Sequence, residues 1–463
     1  MEVNMQNIII LPELKELLEA KEFDVLKEIF EDLHPAEIAE QISALEPEEV
    51  WQIIELFDKS RRAEIFSFLD LELQVEIAEI IERSKLVDLL TEMSSDDRVD
   101  LFKKFPEEKQ ELILPLLAQA EREDIRRLAE YPEGSAGSVM TSEYVAIPDN
   151  ITVDEAIRRI RLEALQKETI FYIYVINEKR QLIGFVSLTD LIMAHPNTKI
   201  RDIMKTDVIY VTVDEDQEKV ARKIQKYDLI AIPVVNSNKV LVGIVTHDDA
   251  IDIITQEQTE DLEKFMAIAG AHEVSAYNKT PVYIHFKNRA VWVVSLAVIG
   301  LISGMIIHSF ENTLMNLMIL ALYMPMVADT GGNVGSQSAT VIVRALALGE
   351  ITVRDFFRVL WKEFRISLLL ALALGLLSWI KVVFLSSSSE IPINFSLQQI
   401  SIVIAIALSL QVITSTLIGA MLPLIATKFK FDPAVVASPA LTTIVDITGL
   451  LIYFSTAKLL LGI

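Results

Sequence analysis

Two periodicities divide the chain. From residue 1 to about 130, apolar residues recur at three- and four-residue spacing, as in Ile38, Ile42, Leu45 and then Val50, Ile53, Ile54, Phe57. That spacing predicts a series of short amphipathic helices. Short units repeat loosely (LHPAEIAEQISALEPEEV, LDLELQVEIAEII, MSSDDRVDLFKKFPEEKQ), and Pro35, Pro47 and Pro106 suit first-turn positions. The expectation is an all-α N-domain, built either as a stack of helix pairs or as an amphipathic bundle. Between 138 and 256 the pattern changes to short apolar strand runs alternating with helices. LIGFVSLTDLI (Leu182–Ile192) matches LVGIVTHDDAI (Leu241–Ile251) at an offset of 59, and IFYIYVI upstream parallels LIAIPVV. Each half reads strand, helix, strand, tight Gly turn, strand, helix: an α/β module in two copies.

Beyond a linker helix at 257–280, the pattern becomes long and apolar. Five stretches are long enough to cross a bilayer: about Ala290–Phe310, Leu314–Leu346, Phe364–Leu385, Ile400–Thr427 and Val435–Leu461. Residues 281–463 thus read as a five-helix transmembrane domain. Lys287, Arg289, Arg344, Arg354, Arg358, Lys362, Arg365, Lys428 and Lys430 fall on one side, and only Lys381 and Lys458 fall near the other. Basic loops face the cytoplasm, so the N-terminal half is expected inside and the C-terminus outside. Met1–Ala20 lacks the basic start and cleavage pattern of a signal peptide.

Composition sharpens the division. The 463 residues have a formal net charge of -24 and are 51% hydrophobic, without cysteine. Residues 1–280 carry -27 and residues 281–463 carry +3. The acidity excludes a nucleic-acid face. The lack of thiols excludes disulfides, thiol redox chemistry and thiolate zinc sites. No nucleophile–base pair or phosphate-binding loop marks an enzyme.

Charge at membrane depth is the strongest chemical signal, because a charged side chain at the bilayer centre costs about 2.5–3.5 kcal/mol on insertion scales. Two carboxylates fall within the expected spans, Asp329 and Asp446. Asp446 lies in PALTTIVDITGLL, one turn after Thr442. Asp329 opens the DTGGNVGSQSAT stretch, where Asn333, Ser336, Gln337 and Thr340 offer neutral oxygens. Three glycines in five residues make a regular helix costly, so the second span is expected to be broken where it lines a cavity. In the soluble half, Asp214, Glu215, Asp216, Glu218, Asp228, Asp248, Asp249 and Asp252 crowd one unit, with Glu257, Glu260, Asp261 and Glu263 following. Facing acids repel unless cations lie between them, and a divalent ion with oxygen ligands is the natural screen.

The strand–Gly–strand–Ser/Thr-x-x-Asp element resembles a tandem pair of CBS domains. That resemblance implies adenine-nucleotide contact by Ser187 with Asp190 and by Thr246 with Asp249; the alternative is helix capping by the same residues. The order of helical N-domain, CBS pair, acidic linker and spans carrying GGNVGSQSAT and PALTTIVDITG resembles the MgtE magnesium channel family across essentially the whole chain. The resemblance implies a homodimer in the cell (inner) membrane, with the second and fifth helices lining a pore on the two-fold axis. Asp446 then matches the ion-selecting aspartate and the Thr442 carbonyl its partner. Regulatory Mg²⁺ is implied at Asp216, Glu218, Asp228, Asp249, Asp252, Glu260 and Asp261, with Asp96, Asp97 and Asp100 in the N-domain. ATP is the implied nucleotide. A proton-coupled divalent-cation transporter and a non-conducting receptor remain as alternatives.

Overall fold

The computed structural model describes residues 11–164, 167–266, 268, 280–387, 391–392, 394–434 and 439–462. It forms two compact units, Met1–Glu257 and Gln258–Ile463, taken here in turn.

Among the described residues the first unit opens with ten α-helices: α1 (Leu11–Ala20), α2 (Phe23–Glu31), α3 (Pro35–Ile42), α4 (Pro47–Ile54), α5 (Lys59–Ser67), α6 (Leu71–Ile80), α7 (Arg83–Glu92), α8 (Ser95–Lys104), α9 (Glu107–Ile113) and α10 (Gln119–Ala129). Their starts are written locally. Pro35 and Pro47 sit in first turns, and Glu37 and Glu49 fold back onto the backbone N–H groups of His34 and Glu46. Pro106 differs from expectation: it precedes α9 as its N-cap residue, in extended backbone. Packing runs from each helix to the second after it: α2 on α4, α4 on α6, α6 on α8 and α8 on α10, with α3 on α5 and α5 on α7 beside them. That alternation is a stack of helix pairs, the first of the two expected arrangements. Ile38, Ile42, Val50, Ile53, Ile54 and Phe57 are buried in its core, as their spacing predicts.

The duplicated module follows. β1 (Ala146–Pro148), α11 (Val153–Glu163), β2 (Tyr172–Ile176), β3 (Leu182–Ser187), α12 (Leu188–Met193) and α13 (Ile200–Ile203) form the first half. β4 (Val211–Thr212), α14 (Gln217–Tyr227), β5 (Ala231–Val235), β6 (Leu241–Thr246) and the start of α15 (His247–Phe265) form the second. Each half has one three-stranded sheet, with a parallel first pair and an antiparallel second. The glycines are not in the hairpin turns. Those turns are closed by Asn177 and Asn236, whose side chains accept backbone N–H groups, with Arg180 and Lys239 at positive φ. Gly184 and Gly243 lie inside β3 and β6, where another backbone approaches. A Cβ at Gly184 would stand 2.9 Å from the Lys205 carbonyl oxygen, and one at Gly243 2.8 Å from that of Thr141.

In the second unit, α16 (Val282–Ser309), α17 (Glu311–Asn316), α18 (Ile319–Ala347), α19 (Phe356–Leu385), α20 (Leu397–Lys428) and α21 (Pro439–Leu461) make a bundle in which α20 packs on α18, α19 and α21. Among the described residues four helices combine membrane-spanning length with high hydropathy: Val282–Ser309, Val353–Leu385, Leu397–Lys428 and Ala440–Leu461. The second expected span, α18, has the length, at 29 residues, but its polar centre lowers its hydropathy. It is also continuous, against the expected break. The glycines are tolerated because each meets a neighbouring helix at close range: Gly331 meets Gln411, Gly335 meets the Ser415 carbonyl, and Gly419 of α20 lies on the Gly335 carbonyl. Close helix contact offsets the cost of glycine inside the helix. Pro439 begins α21 and interrupts no helical hydrogen bond. Residues 435–438, expected within the fifth span, lie outside the described residues, as do 267 and 269–279 of the expected linker helix.

Candidate functional site

One site lies on the motif helices of the second unit. In α18 the buried residues Val327, Gly331, Val334, Gly335, Ser338 and Ile342 occupy one face, and Asp329, Asn333, Gln337 and Thr340 form an exposed stripe on the other. Helical spacing places those four within one arc of the helix. Asn333 Nδ2 donates to Asp329 Oδ2 at 3.4 Å. α21 lies against α18 through small residues: a Cβ at Gly332 would reach Thr442 Cγ2 at 3.5 Å, and one at Gly335 would meet Val445 and Leu441. Asp446, one turn after Thr442, is half-buried and within electrostatic reach of Asp329. The structure therefore gathers Asp329, Asn333, Thr442 and Asp446 on adjoining helix faces, with Gln337 one turn farther along the stripe. These are uncharged oxygens around two carboxylates in an apolar bundle, a donor set suited to a hard cation.

Two buried polar residues nearby escaped the sequence reading. Glu363 in α19 is 6% exposed and accepts a hydrogen bond from Ser338 Oγ at 2.9 Å; the expected third span began one residue after it. Gln411 in α20 is fully buried against both motif helices. A single glutamine in an apolar run carries no sequence signal.

The last turn of α15 touches this unit as well. Phe265 packs on Ala339, Leu441 and Val445. Lys264 Nζ lies 2.6 Å from Glu260 and 3.1 Å from Asp432. The residues flanking Thr442 and Asp446 thus receive the end of the linker helix.

A second acidic site forms in the first unit, where α8 meets the start of α15. Ser95 Oγ lies 2.9 Å from Thr141 Oγ1 and accepts from the Ser142 N–H, joining the helical stack to the duplicated module. Beside this joint Asp96 and Asp97 face Asp248 and Asp249. Burial, then the charges of Asp249, Asp97 and Glu168, hold Asp96 well above the usual carboxylate range. Burial also raises Asp97. Asp249 is pushed up to about 6 by burial, opposed by the Thr246 hydroxyl and reinforced by Asp248. Glu168 is pushed up to about 7 by desolvation, then by Glu143, Asp249, Asp248 and Asp97. Burial raises Glu143 too, although Arg98 stands 3.9 Å away. Asp252 shifts up by burial and the charge of Asp248, and Asp100 lies on the exposed side with Lys103 at 3.9 Å. One Asp96 oxygen, Oδ1, is buried with no hydrogen-bond partner. No three acidic or imidazole groups among the described residues converge as ready ligands, yet the crowded carboxylates and the buried oxygen fit a bridging cation. Glu143, Glu168 and Asp248 join this cluster through tertiary contacts that spacing alone does not reveal.

Of the other predicted acids, Asp216, Glu218 and Glu260 have local partners. Asp216 caps α14 by accepting from the Lys219 N–H, Glu218 pairs with Arg222, and Asp228 ends α14 with a φ of 51. Glu260 pairs with Lys264, and Asp261 lies on the same helix. The two Ser/Thr-x-x-Asp elements both form local boxes: Ser187 Oγ donates to Asp190 at 2.6 Å and Thr246 Oγ1 to Asp249 at 2.5 Å. Their surroundings differ. Asp190 lies 3.0 Å from Lys205 and is held below the usual carboxylate range by the Ser187 hydroxyl, then by Lys205. Tyr172 and Phe185 stand edge to face on the same sheet, 5.6 Å apart.

An acidic unit followed by a bundle of long apolar helices that carry carboxylates is the pattern of a membrane transporter of cations. The chain belongs to the MgtE family of divalent cation transporters. Residues 324–456 match the divalent cation transporter domain of that family, 33–134 the MgtE intracellular N domain, and 136–197 and 200–256 the CBS domain. The magnesium transporter MgtE of Thermus thermophilus is 42% identical over 75% of this chain and 74% of its own. That of Bacillus subtilis is 39% identical over 79% of this chain and 78% of its own. A crystal structure of the cytosolic domain of the Mg²⁺ channel MgtE in complex with ATP covers 52% of this chain and 98% of its own at 38% identity, with a TM-score of 0.49.

Proposed function

We propose that the protein is a Mg²⁺ channel that admits the ion down its electrochemical gradient and is closed by cytosolic Mg²⁺. The observation that carries this reading is the packing of Gly332 on Thr442, which sets Asp446 beside the Asp329–Asn333 stripe. That stripe is exposed in a single chain although it belongs to an apolar bundle. A second copy across a two-fold axis would enclose it and bring two Asp446 carboxylates to one passage. Mg²⁺ gives up water reluctantly, so the carboxylates act on a hydrated ion, and weak contact through its water shell permits release. An inside-negative potential supplies about 2.3 kcal/mol per charge per 100 mV. In this reading the basic loops face the cytoplasm, so the N-terminal half lies inside and the C-terminus outside.

Closure follows from the acids. Carboxylates crowded at the joint of α8 and α15 repel one another, and Mg²⁺ bridging them favours the packed state, as any ligand favours the state it binds better. The proposed regulatory ligands are Asp96, Asp97, Asp100, Asp249 and Asp252 at this joint, Asp216, Glu218 and Asp228 at the ends of α14, and Glu260 and Asp261 on the linker helix. Phe265 gives α15 purchase on the helix that carries Asp446, and Lys264 on Asp432 in the segment before it. ATP belongs at Ser187 and Asp190, where Lys205 answers phosphate charge and Asp190 stays ionised to accept ribose hydroxyls. Asp249, among acids, suits a cation better than a polyphosphate.

The test is Mg²⁺ uptake into proteoliposomes, with internal Mg²⁺ varied and Asp446→Asn alongside. Voltage-driven uptake that internal Mg²⁺ suppresses and the variant lacks is the expected result. Normal uptake by Asp446→Asn overturns the pore assignment, and uptake abolished by collapsing a proton gradient replaces the channel with a proton-coupled carrier.

A further inference from the structure

We propose that Gln411 is a positioning residue for the ion pathway: from the crossing of α18, α20 and α21 it fixes the Val445 carbonyl and thereby the facing of Asp446. The inference rests on the reading that Asp446 lines the passage. Gln411 is fully buried, and its Nε2 donates to the Val445 carbonyl oxygen at 2.9 Å. Thr448 Oγ1 shares its one proton between this oxygen at 3.1 Å and the Ile444 carbonyl oxygen at 3.0 Å. The carbonyl just before Asp446 therefore takes a side-chain donor from a different helix and a share of the Thr448 hydroxyl, beyond what its own helix supplies. Rotation of α21 about its axis would break that bond.

Both motif helices make room for this amide. A Cβ at Gly331 would collide with Gln411, and one at Gly449 would lie 2.6 Å from its Nε2. A glycine from GGNVG and the glycine of VDITG thus form the two walls of one slot. Holding the amide there is costly. Its Oε1 is buried with no partner, and leaving a buried polar atom unsatisfied destabilises the fold. An apolar side chain of equal length would fill the slot without that cost, so stability alone does not account for a glutamine. The bond to Val445 does, if what it secures is the orientation of the next residue.

Gln411→Met keeps the length and removes the donor. In proteoliposomes we expect its half-saturating Mg²⁺ concentration to rise about two- to tenfold, the worth of one net hydrogen bond, while maximal uptake is retained. Added Ca²⁺ should compete more strongly than in the parent protein. Gly449→Ala leaves Gln411 in place but crowds its amide, and should move the same two readouts. Unchanged half-saturation and unchanged Ca²⁺ competition in either folded variant overturn the proposal. So does a loss of maximal uptake at unchanged half-saturation, which marks a purely architectural role. Asp446→Asn run alongside separates the two readings: if it conducts normally the pore assignment falls, whereas if it is silent and Gln411→Met behaves as the parent, only the positioning role falls.

Discussion

Gly419→Ala tests the helix contact on which the candidate site depends. The added methyl would land on the Gly335 carbonyl oxygen, and the Gly335 carbonyl carbon and Cα lie 3.0 and 3.2 Å from its position. These are backbone atoms, so no rotamer change relieves the overlap and α20 must move away from α18. Overpacking of this kind costs about 1–3 kcal/mol, against a gain of about 0.8–1.0 kcal/mol in helix propensity. The net loss, up to about 2 kcal/mol, lowers the melting temperature by up to roughly 8 °C for a unit of this size. Separation of α18 from α20 would also withdraw Gly331 from Gln411 and disturb the Asp329–Asn333 stripe, so Mg²⁺ uptake should fall with stability. Tryptophan fluorescence during heating reads the first effect, since Trp292, Trp361 and Trp379 all belong to this unit. Gly304→Ala is the matched control, because a Cβ there meets nothing within 4 Å; it should be neutral or stabilising. Gly419→Ala that melts with the control and transports normally would refute the argument.

Three further outcomes follow. Without Mg²⁺, the joint of α8 and α15 should weaken as pH rises from about 4 to 7, because acids whose folded values are raised (Asp249 to about 6, Glu168 to about 7) favour packing while protonated and oppose it once ionised. Hydrogen exchange at Asp96–Asp100 checks this; Mg²⁺ at pH 8 should restore protection, and Asp97→Asn with Asp249→Asn should remove both dependences. Lys264→Ala should shift the internal Mg²⁺ needed for closure while leaving uptake at low internal Mg²⁺ intact, since a part-exposed ion pair is worth only about 0–1 kcal/mol; electrophysiology at graded internal Mg²⁺ reads it. Asp190→Ala should abolish ATP binding measured by calorimetry, whereas Asp249→Asn should spare it.

Much of the fold was legible because its signals are local. Helix starts at Pro35 and Pro47 and the 59-residue repeat depend on residues close in sequence, so spacing reports them. What was hidden depends on distant partners. The continuity of α18 could not be read from GGNVG, since the contacts that make its glycines acceptable come from α20 and α21. The same holds for Gln411, whose meaning lies in a carbonyl 34 residues away, and for Glu143 and Glu168, which enter the acidic cluster only after the module folds against α8. Asp446 was legible for a different reason: a carboxylate among apolar residues is anomalous wherever its neighbours lie.

The two Ser/Thr-x-x-Asp boxes show where local reading ends. Ser187–Asp190 and Thr246–Asp249 have the same internal hydrogen bonds, and each precedes or opens a helix. Sequence therefore assigns them one role. Their titration moves in opposite directions, down for Asp190 and up for Asp249. The box is not the cause, because its hydroxyl lowers both. Lys205 accompanies the first, while burial and Asp248 act on the second. A duplicated element has thus been given two electrostatic settings by what packs against it. One suits an anionic ligand held between a cation and an acid, and the other a cation held between acids. If calorimetry finds ATP at the first box and Mg²⁺ at the second, the divergence of neighbours rather than of motif is what separated the two functions.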